Sequence, residues 1–368
     1  GGILIIFSVT ISTLLWGNLR NHFVWLALLC FLGLAAVGFV DDYLKLKYHN
    51  SAGLSGKLKL LFQFIIAIAA GCYLLYNGNL YTAKLWRPFD NESIIKITES
   101  EQQQKQETLK KELELQSSTA TQAPTVITEQ RQTALGSEKS GAALVAPSKV
   151  LAETITITKD NYRLFLTQKY NSAITVPFFK NVFLFLGVFY ILFVALVIVG
   201  SSNAVNLTDG LDGLAAGTAL FTLMTFTIIC YVSGNWQISR YLQILFIDGC
   251  GELSVFGAAM IGGLMGFLWY NCHPAQVFMG DIGSLSIGGV IGLIAVITKH
   301  EILLLFSGAL FVAEALSVIM QTMYFKYTRK RYGEGRRIFL MAPLHHHFEK
   351  LGLKESKITI RFWIISII

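Results

Sequence analysis

Charge is scarce in this 368-residue chain: Lys, Arg, Asp and Glu together make up 14% of it, against 53% hydrophobic residues. So few charges cannot cover a soluble globule of this length, and the apolar residues fall in blocks instead of alternating. Cysteine is sparse as well. Of five, Cys30, Cys72 and Cys230 lie in or beside apolar blocks, Cys250 and Cys272 lie near loops, and no two have CxxC spacing. Neither a structural zinc site nor a disulfide framework is supported. The chain opens on Gly1 with no charged segment before its first apolar block. A signal peptide is therefore not expected there, and the sequence reads as part of a longer protein.

What the chain has is hydrophobic length. Spanning a bilayer takes about twenty mostly apolar residues. Blocks of that kind run Phe23 to Val40, Leu58 to Tyr76, Val182 to Gly200, Leu214 to Val232, Leu253 to Tyr270, Ile282 to Thr298 and Ile302 to Tyr324. Two shorter blocks, Ile3 to Trp16 and Ile358 to Ile368, lie at the two ends. The expected fold is all-α, a polytopic integral membrane protein with about nine spans.

The net charge of +7 would suit a nucleic-acid partner if it were spread over one face. Instead, ten Lys or Arg against three Glu fall between Lys326 and Arg361. A basic loop beside a span marks the cytoplasmic side, and no nucleic acid is expected. Threading back from it puts Asp41 to Lys57, Ser201 to Gly213 and Asn271 to Ser284 on the same side as Lys326 to Lys357. Lys45, Lys47, Lys57 and Lys59 agree with that assignment. The other side receives Gly17 to His22, Asn77 to Lys180, Ser233 to Glu252 and the turn Lys299 to Glu301.

From about Asn91 to Lys149 the composition changes to Gln, Glu, Thr, Ser and Lys, with few aromatics. Such a stretch cannot bury enough apolar surface to offset its ordering entropy. The expected organisation is an N-terminal membrane part over 1–89, a disordered extracytoplasmic insertion over 90–168 with room for a short helix at Thr108 to Gln116, and a C-terminal membrane part over 169–368. The two membrane parts make one domain.

Five of the eight aspartates fall in the four cytoplasmic loops, each close to a span end. That convergence is the main functional signal. "GFVDDYLK" closes one span with Asp41 and Asp42, which point about 100° apart on a helix, so at least one faces a cleft or water. Lys45, one turn on, neutralises one of them. "SSNAVNLTDGLDGLAAG" spaces Asn203 from Asn206 and Asp209 from Asp212 by three, a shared helical face for each pair. One of these is accounted for as a helix cap, but four amide or acid groups in ten positions are not. "NCHPAQVFMGDIGSL" sets Asp281 between two glycines, which suits either an oxygen-ligated cation such as Mg²⁺ or a helix cap. Glu314 and Gln321 lie seven apart, on one face of the last long span; a helix-to-helix hydrogen bond is expected for Glu314. Gln321 lies near the cytoplasmic end, within reach of a substrate there.

At "VDDYLK", "NAVNLTDGLDGLA", "FMGDIGSL" and "APLHHHFE" the chain resembles the polyprenyl-phosphate N-acetylhexosamine-1-phosphate transferases, and within them the phospho-N-acetylmuramoyl-pentapeptide transferase branch. The likeness covers the chain apart from the insertion. It implies about ten membrane helices, an active site facing the cytoplasm at the bacterial inner membrane, Mg²⁺ as cofactor and a homodimer. It also implies transfer of phospho-MurNAc-pentapeptide from its UDP carrier to undecaprenyl phosphate, releasing UMP. Carried onto this sequence, it makes Asp281 the Mg²⁺ ligand and Asp41, with Asp42 beside it, the activator of the lipid phosphate. Asn203, Asn206, Asp209 and Asp212 then line the nucleotide and pyrophosphate site, with Asn271, Phe278 and Gln321. Lys45 and Lys57 face phosphate.

Two other readings stand beside this one: a UDP-GlcNAc-specific enzyme of the same group, and a transporter with an acidic ion path. A transporter would carry its acids near span centres, whereas these sit at span ends. The three histidines are not a terminal tag, and adjacent side chains do not converge on one metal. His345 and His346 are expected to face phosphate or nucleotide, and His347 to be structural.

Overall fold

The computed structural model describes residues 1–48, 53–76, 83–88, 162–166, 172–176, 183–242 and 244–367. The chain divides into two compact units, one of Gly1–Leu85 with Leu166–Ile368, the other Trp86–Phe165. Of the second unit, only strand residues at its two ends are described. The expected disorder and the short helix at Thr108 to Gln116 lie outside the described residues.

The first unit is a helix bundle. In order it contains α1 (Gly2–Trp16), α2 (His22–Lys47), α3 (Gly56–Tyr76), α4 (Phe189–Thr208), α5 (Leu214–Gly234), the short α6 (Trp236–Leu242), α7 (Leu253–Asn271), α8 (Gly280–Ile297), α9 (Leu303–Ser307), α10 (Ala309–Tyr332), α11 (Leu344–Lys350) and α12 (Glu355–Ile367). Among the described residues, seven helices are long and apolar enough to cross a membrane: α2, α3, α4, α5, α8 and α10, and α7 counted with the short turn before it. The protein is therefore an all-α polytopic membrane protein.

Short strands are an addition to that expectation. β3 (Ala173–Thr175) and β4 (Phe183–Phe185) form an antiparallel pair, with Ala173 opposite Phe185 and Thr175 opposite Phe183. Residues Ala83 and Lys84 of β1 (Ala83–Pro88) pair with β5 (Phe246–Ile247), and β2 runs Tyr162–Leu166. The span expected from Val182 accordingly begins only at Phe189. Its Phe-Leu-Phe start is strand-favouring, and Gly187, at φ +56°, separates strand from helix. The last long span is likewise two helices, broken at Gly308 between α9 and α10, where a residue of low helix propensity stands. Conversely, α4 continues to Thr208, so Asn203 and Asn206 lie on a helix and not in a loop.

α8 is the centre of the bundle. Every residue from Gly283 to Ile297 is buried, and the helix packs chiefly against α4 and α2. In lipid the hydrophobic effect does not drive helices together, so small residues that let backbones approach carry the association. Gly38 of α2 is one: a Cβ there would run into the Asp281 backbone. That close approach brings the acidic end of α2 beside the start of α8. At the far ends of these helices, fully buried Lys299 donates from Nζ to the Tyr190 hydroxyl at 2.7 Å, and that hydroxyl donates to Glu301 at 3.1 Å.

Candidate active site

The C-terminal end of α2, the N-terminal end of α3, the C-terminal end of α4 and the first turn of α8 meet at one end of the bundle, and each delivers polar side chains. Asp41 is 3% exposed in the last turns of α2, one turn before Lys45. Asp281 occupies the first turn of α8, after Gly280 at φ +67°. Asp41, Asp42 and Asp281 each present a carboxylate oxygen within 4.8 Å of the others.

Two ammonium groups hold these acids together. Lys45 Nζ lies 2.6 Å from Asp41, 2.8 Å from Asp281 and 3.5 Å from Asp42. Lys59 Nζ lies 2.8 Å from Asp281 and 3.7 Å from Asp41. Three carboxylates against two ammoniums leave one negative charge, an arrangement that attracts a cation without expelling a phosphate. Uncharged donors complete the setting. Asn206 Nδ2 donates to Asp281 at 2.5 Å and to Ser284 Oγ at 2.8 Å. The Leu54 amide donates to Asp41 at 2.6 Å, and the Ile282 amide reaches Asp42 at 3.4 Å. Asp209, the C-terminal cap of α4, accepts from the Gly280 amide; burial, reinforced by the charge of Asp281, pushes its carboxyl up to about 7.

Lys59, read from the sequence only as a topology marker, is therefore the second cation of the cluster, and Lys57 is exposed two residues away. Gln63, one turn beyond Lys59 and fully buried, accepts from Asn203 Nδ2 at 2.7 Å. The signal for both lay in the stripe of α3 that faces the bundle. Gln63, Ala67, Ala70, Gly71 and Leu74 recur every three or four residues, and extrapolating back by four reaches Lys59, not Lys57.

Asp212 lies apart from the three-carboxylate cluster. Its carboxylate accepts from the Ala275 amide at 3.0 Å and contacts His273 Nδ1 at 3.1 Å, with Glu355 3.8 Å from the same nitrogen. Asn271 is buried, accepts from the Gly213 amide at 3.2 Å and donates to the Val277 carbonyl at 2.8 Å. Both ends of its amide thus tie the start of α5 to the segment before α8. Phe278, in that segment, is 68% exposed, an open aromatic face.

Glu314 and Gln321 share a face of α10, as their spacing predicts, and both fasten the segment that leads into α11. Gln321 accepts from the Ile338 and Phe339 amides at 3.0 Å each. Glu314 accepts from the Leu344 amide at 2.6 Å and the His345 amide at 3.2 Å. Its partner is this segment's backbone and not another span. Below Gln321 opens a cavity of about 450 Å³ lined by Lys326, Arg337, Phe325 and Met341 among others. The three histidines differ in setting. His345 is fully buried, His346 is half-buried and pairs with Glu349, and His347 accepts from the Leu340 amide at 3.2 Å.

A family model described as glycosyl transferase family 4 matches residues 162–299. The phospho-N-acetylmuramoyl-pentapeptide-transferase of Thermodesulfovibrio yellowstonii is 40% identical over 368 residues, all of this chain and 76% of that protein. The proteins of the same name from Citrifermentans bemidjiense and Rickettsia felis are 40% and 43% identical over the same span and share.

Proposed function

The chain belongs to the phospho-N-acetylmuramoyl-pentapeptide-transferase family, and from that premise we propose how its own residues carry the reaction. It is a transferase of peptidoglycan synthesis, moving phospho-MurNAc-pentapeptide from a nucleotide carrier to a lipid carrier to form lipid I. We take the carriers to be UDP-MurNAc-pentapeptide and undecaprenyl phosphate, with UMP as the second product.

Exchanging one phosphoanhydride for another is nearly balanced in bond energy. The protein's task is to position two anions and cancel their repulsion. Asp41, Asp42 and Asp281 offer only oxygen donors, the set a hard cation such as Mg²⁺ prefers, and their mutual reach of 4.8 Å is the observation that carries this reading. The Asp212, His273 and Glu355 group mixes nitrogen with oxygen and is more exposed, so it fits Mg²⁺ less well. Asp41, Asp42 and Asp281 would hold Mg²⁺, which when bound would supply neutralisation of the negative charge of the two substrates.

Lys45 and Lys59 add fixed positive charge where the two phosphates approach. Asp41, held by Lys45 and the Leu54 amide, is assigned to orient the lipid phosphate with Asp42. Asn206 orients Asp281, and Asn203 is held against Gln63 on the same helix face. Asp209, Asp212, Phe278 and His346 are assigned to the nucleotide side, where Phe278 offers a ring for stacking on the base. Asn271 and Gln321 act there through the backbone segments they hold. Lys57 is left with long-range attraction of anions.

The basic last turns of α2 (Lys45, Lys47) and α10 (Arg329, Lys330, Arg331) support a cytoplasmic orientation of this end in the bacterial inner membrane. Family membership further implies a homodimer, which the mass of the detergent-solubilised protein tests. The organisation we propose is one membrane domain built from 1–89 and 169–368, interrupted by the polar insertion 90–168.

The function is tested by UMP release from UDP-MurNAc-pentapeptide. Release that needs both undecaprenyl phosphate and Mg²⁺ is expected. Exclusive use of UDP-GlcNAc would overturn the substrate assignment.

A further inference from the structure

His345 is 0% exposed, so neither ring nitrogen is open to a nucleotide or phosphate. Nδ1 lies 3.3 Å from Glu314 Oε1, an ion-pair contact outside hydrogen-bond direction, and neither nitrogen completes a hydrogen bond. The Nε2 edge of the ring lies against Gly210, so closely that a Cβ there would overlap it. Gly210 stands between Asp209 and Asp212, the two acids assigned to the nucleotide side. The ring therefore backs the turn that carries them.

What holds the ring in place is equally specific. Glu314 is fully buried in α10, where an unpartnered carboxylate would be costly. Its two oxygens are divided between two donors, the amides of Leu344 and His345 at the start of α11. A hydroxyl cap would satisfy one such amide. A carboxylate from a neighbouring helix satisfies both and ties α11 to the bundle in one orientation.

We infer that Glu314 and His345 are positioning residues: Glu314 fixes α11 so that the His345 ring braces Gly210 and sets the Asp209–Asp212 turn for the nucleotide diphosphate of the donor. This rests on the proposed function. The chain of contact runs from Glu314 in α10 through His345 in α11 to Gly210 in the turn between α4 and α5, and Glu314 and His345 act through that turn. Truncating His345 leaves a void behind the turn, and adding a methyl at Gly210 pushes the turn away from the ring. Both changes misplace the donor site while leaving the lipid phosphate's site alone.

The test combines kinetics with a thermal double-mutant cycle. Gly210→Ala and His345→Ala should each raise KM for UDP-MurNAc-pentapeptide about tenfold or more, with KM for undecaprenyl phosphate within twofold of wild type. Glu314→Gln, which turns one acceptor into a donor facing an amide, should do the same. His345→Phe keeps the ring and loses the nitrogens, so kcat should stay within about fivefold. The Gly210→Ala/His345→Ala double variant should melt higher than the sum of the single shifts allows, because the methyl then has room. A kcat collapse in His345→Phe with KM unchanged would show that the imidazole acts on the reacting groups, and would overturn the proposal. So would thermal additivity between positions 210 and 345. Should the wild type release no UMP, the functional reading fails by itself, while the thermal cycle still measures the brace.

Discussion

Replacing Lys59 by alanine separates the packed cluster from the basic loop around it. Lys59 Nζ is 2.8 Å from Asp281 and 15% exposed as a side chain. At that distance and an effective dielectric constant of about 20, the gross attraction is about 6 kcal/mol. Truncation does not forfeit all of it, since Asp281 keeps Lys45 at 2.8 Å and Asn206 at 2.5 Å. Taking about half as the net loss gives about 3 kcal/mol, in the range for breaking a buried pair by removing one partner. If that loss falls on the state in which both anionic substrates are bound, kcat/KM drops about 100-fold. Lys57 is exposed and lies off this face, so Lys57→Ala should stay within about twofold, an effect further reduced by salt. UMP release at saturating Mg²⁺, with both variants in the same detergent, is the assay. Equal losses at 57 and 59, or a Lys59→Ala enzyme within twofold of wild type, would refute the assignment of Lys59 to the cluster.

Two further outcomes follow from other parts of the molecule. Burial pushes Glu301 up to about 7 and Lys299 down to about 8. Glu301 thus contributes stability that is complete below about pH 4.5 and is lost as pH rises through about 7, up to about 3 kcal/mol. The thermal midpoint of the wild type should fall between pH 5 and 7.5 and that of Glu301→Gln should stay flatter; identical slopes would contradict the buried acid. Asn271→Ala strands a buried amide and a carbonyl at about 1–3 kcal/mol each, so it should lower the thermal midpoint and weaken donor binding together. Loss of activity with an unchanged midpoint would instead give Asn271 a direct substrate contact.

Much of this was legible in the residues. Hydrophobic length marked the bundle, because lipid leaves few alternatives to a helix for a backbone that must satisfy its own hydrogen bonds. Acids at span ends marked the carboxylates that the fold brings together as a candidate site, since a carboxylate near lipid needs a reason to be there. The spacing of Glu314 and Gln321 marked a common face. Other features depended on packing that no single segment carries. His345 and His346 read alike from the sequence, as donors to phosphate or nucleotide, yet one ring is buried against Gly210 and the other pairs with Glu349. Whether Lys57 or Lys59 turns inward depended on the stripe set by Gln63. The break at Gly308 and the strand at Phe183–Phe185 lay inside runs whose composition alone reads as continuous span.

The central claim, that Asp41, Asp42 and Asp281 hold the divalent cation, is tested most directly by Mn²⁺ as a spectroscopic stand-in for Mg²⁺. Titration of the wild type in detergent, followed by electron paramagnetic resonance, should show one bound ion per chain, strongly weakened by Asp281→Asn and unchanged by Asp212→Asn. Tight binding that survives Asp281→Asn and disappears with Asp212→Asn would move the metal to the other acidic group and contradict the account.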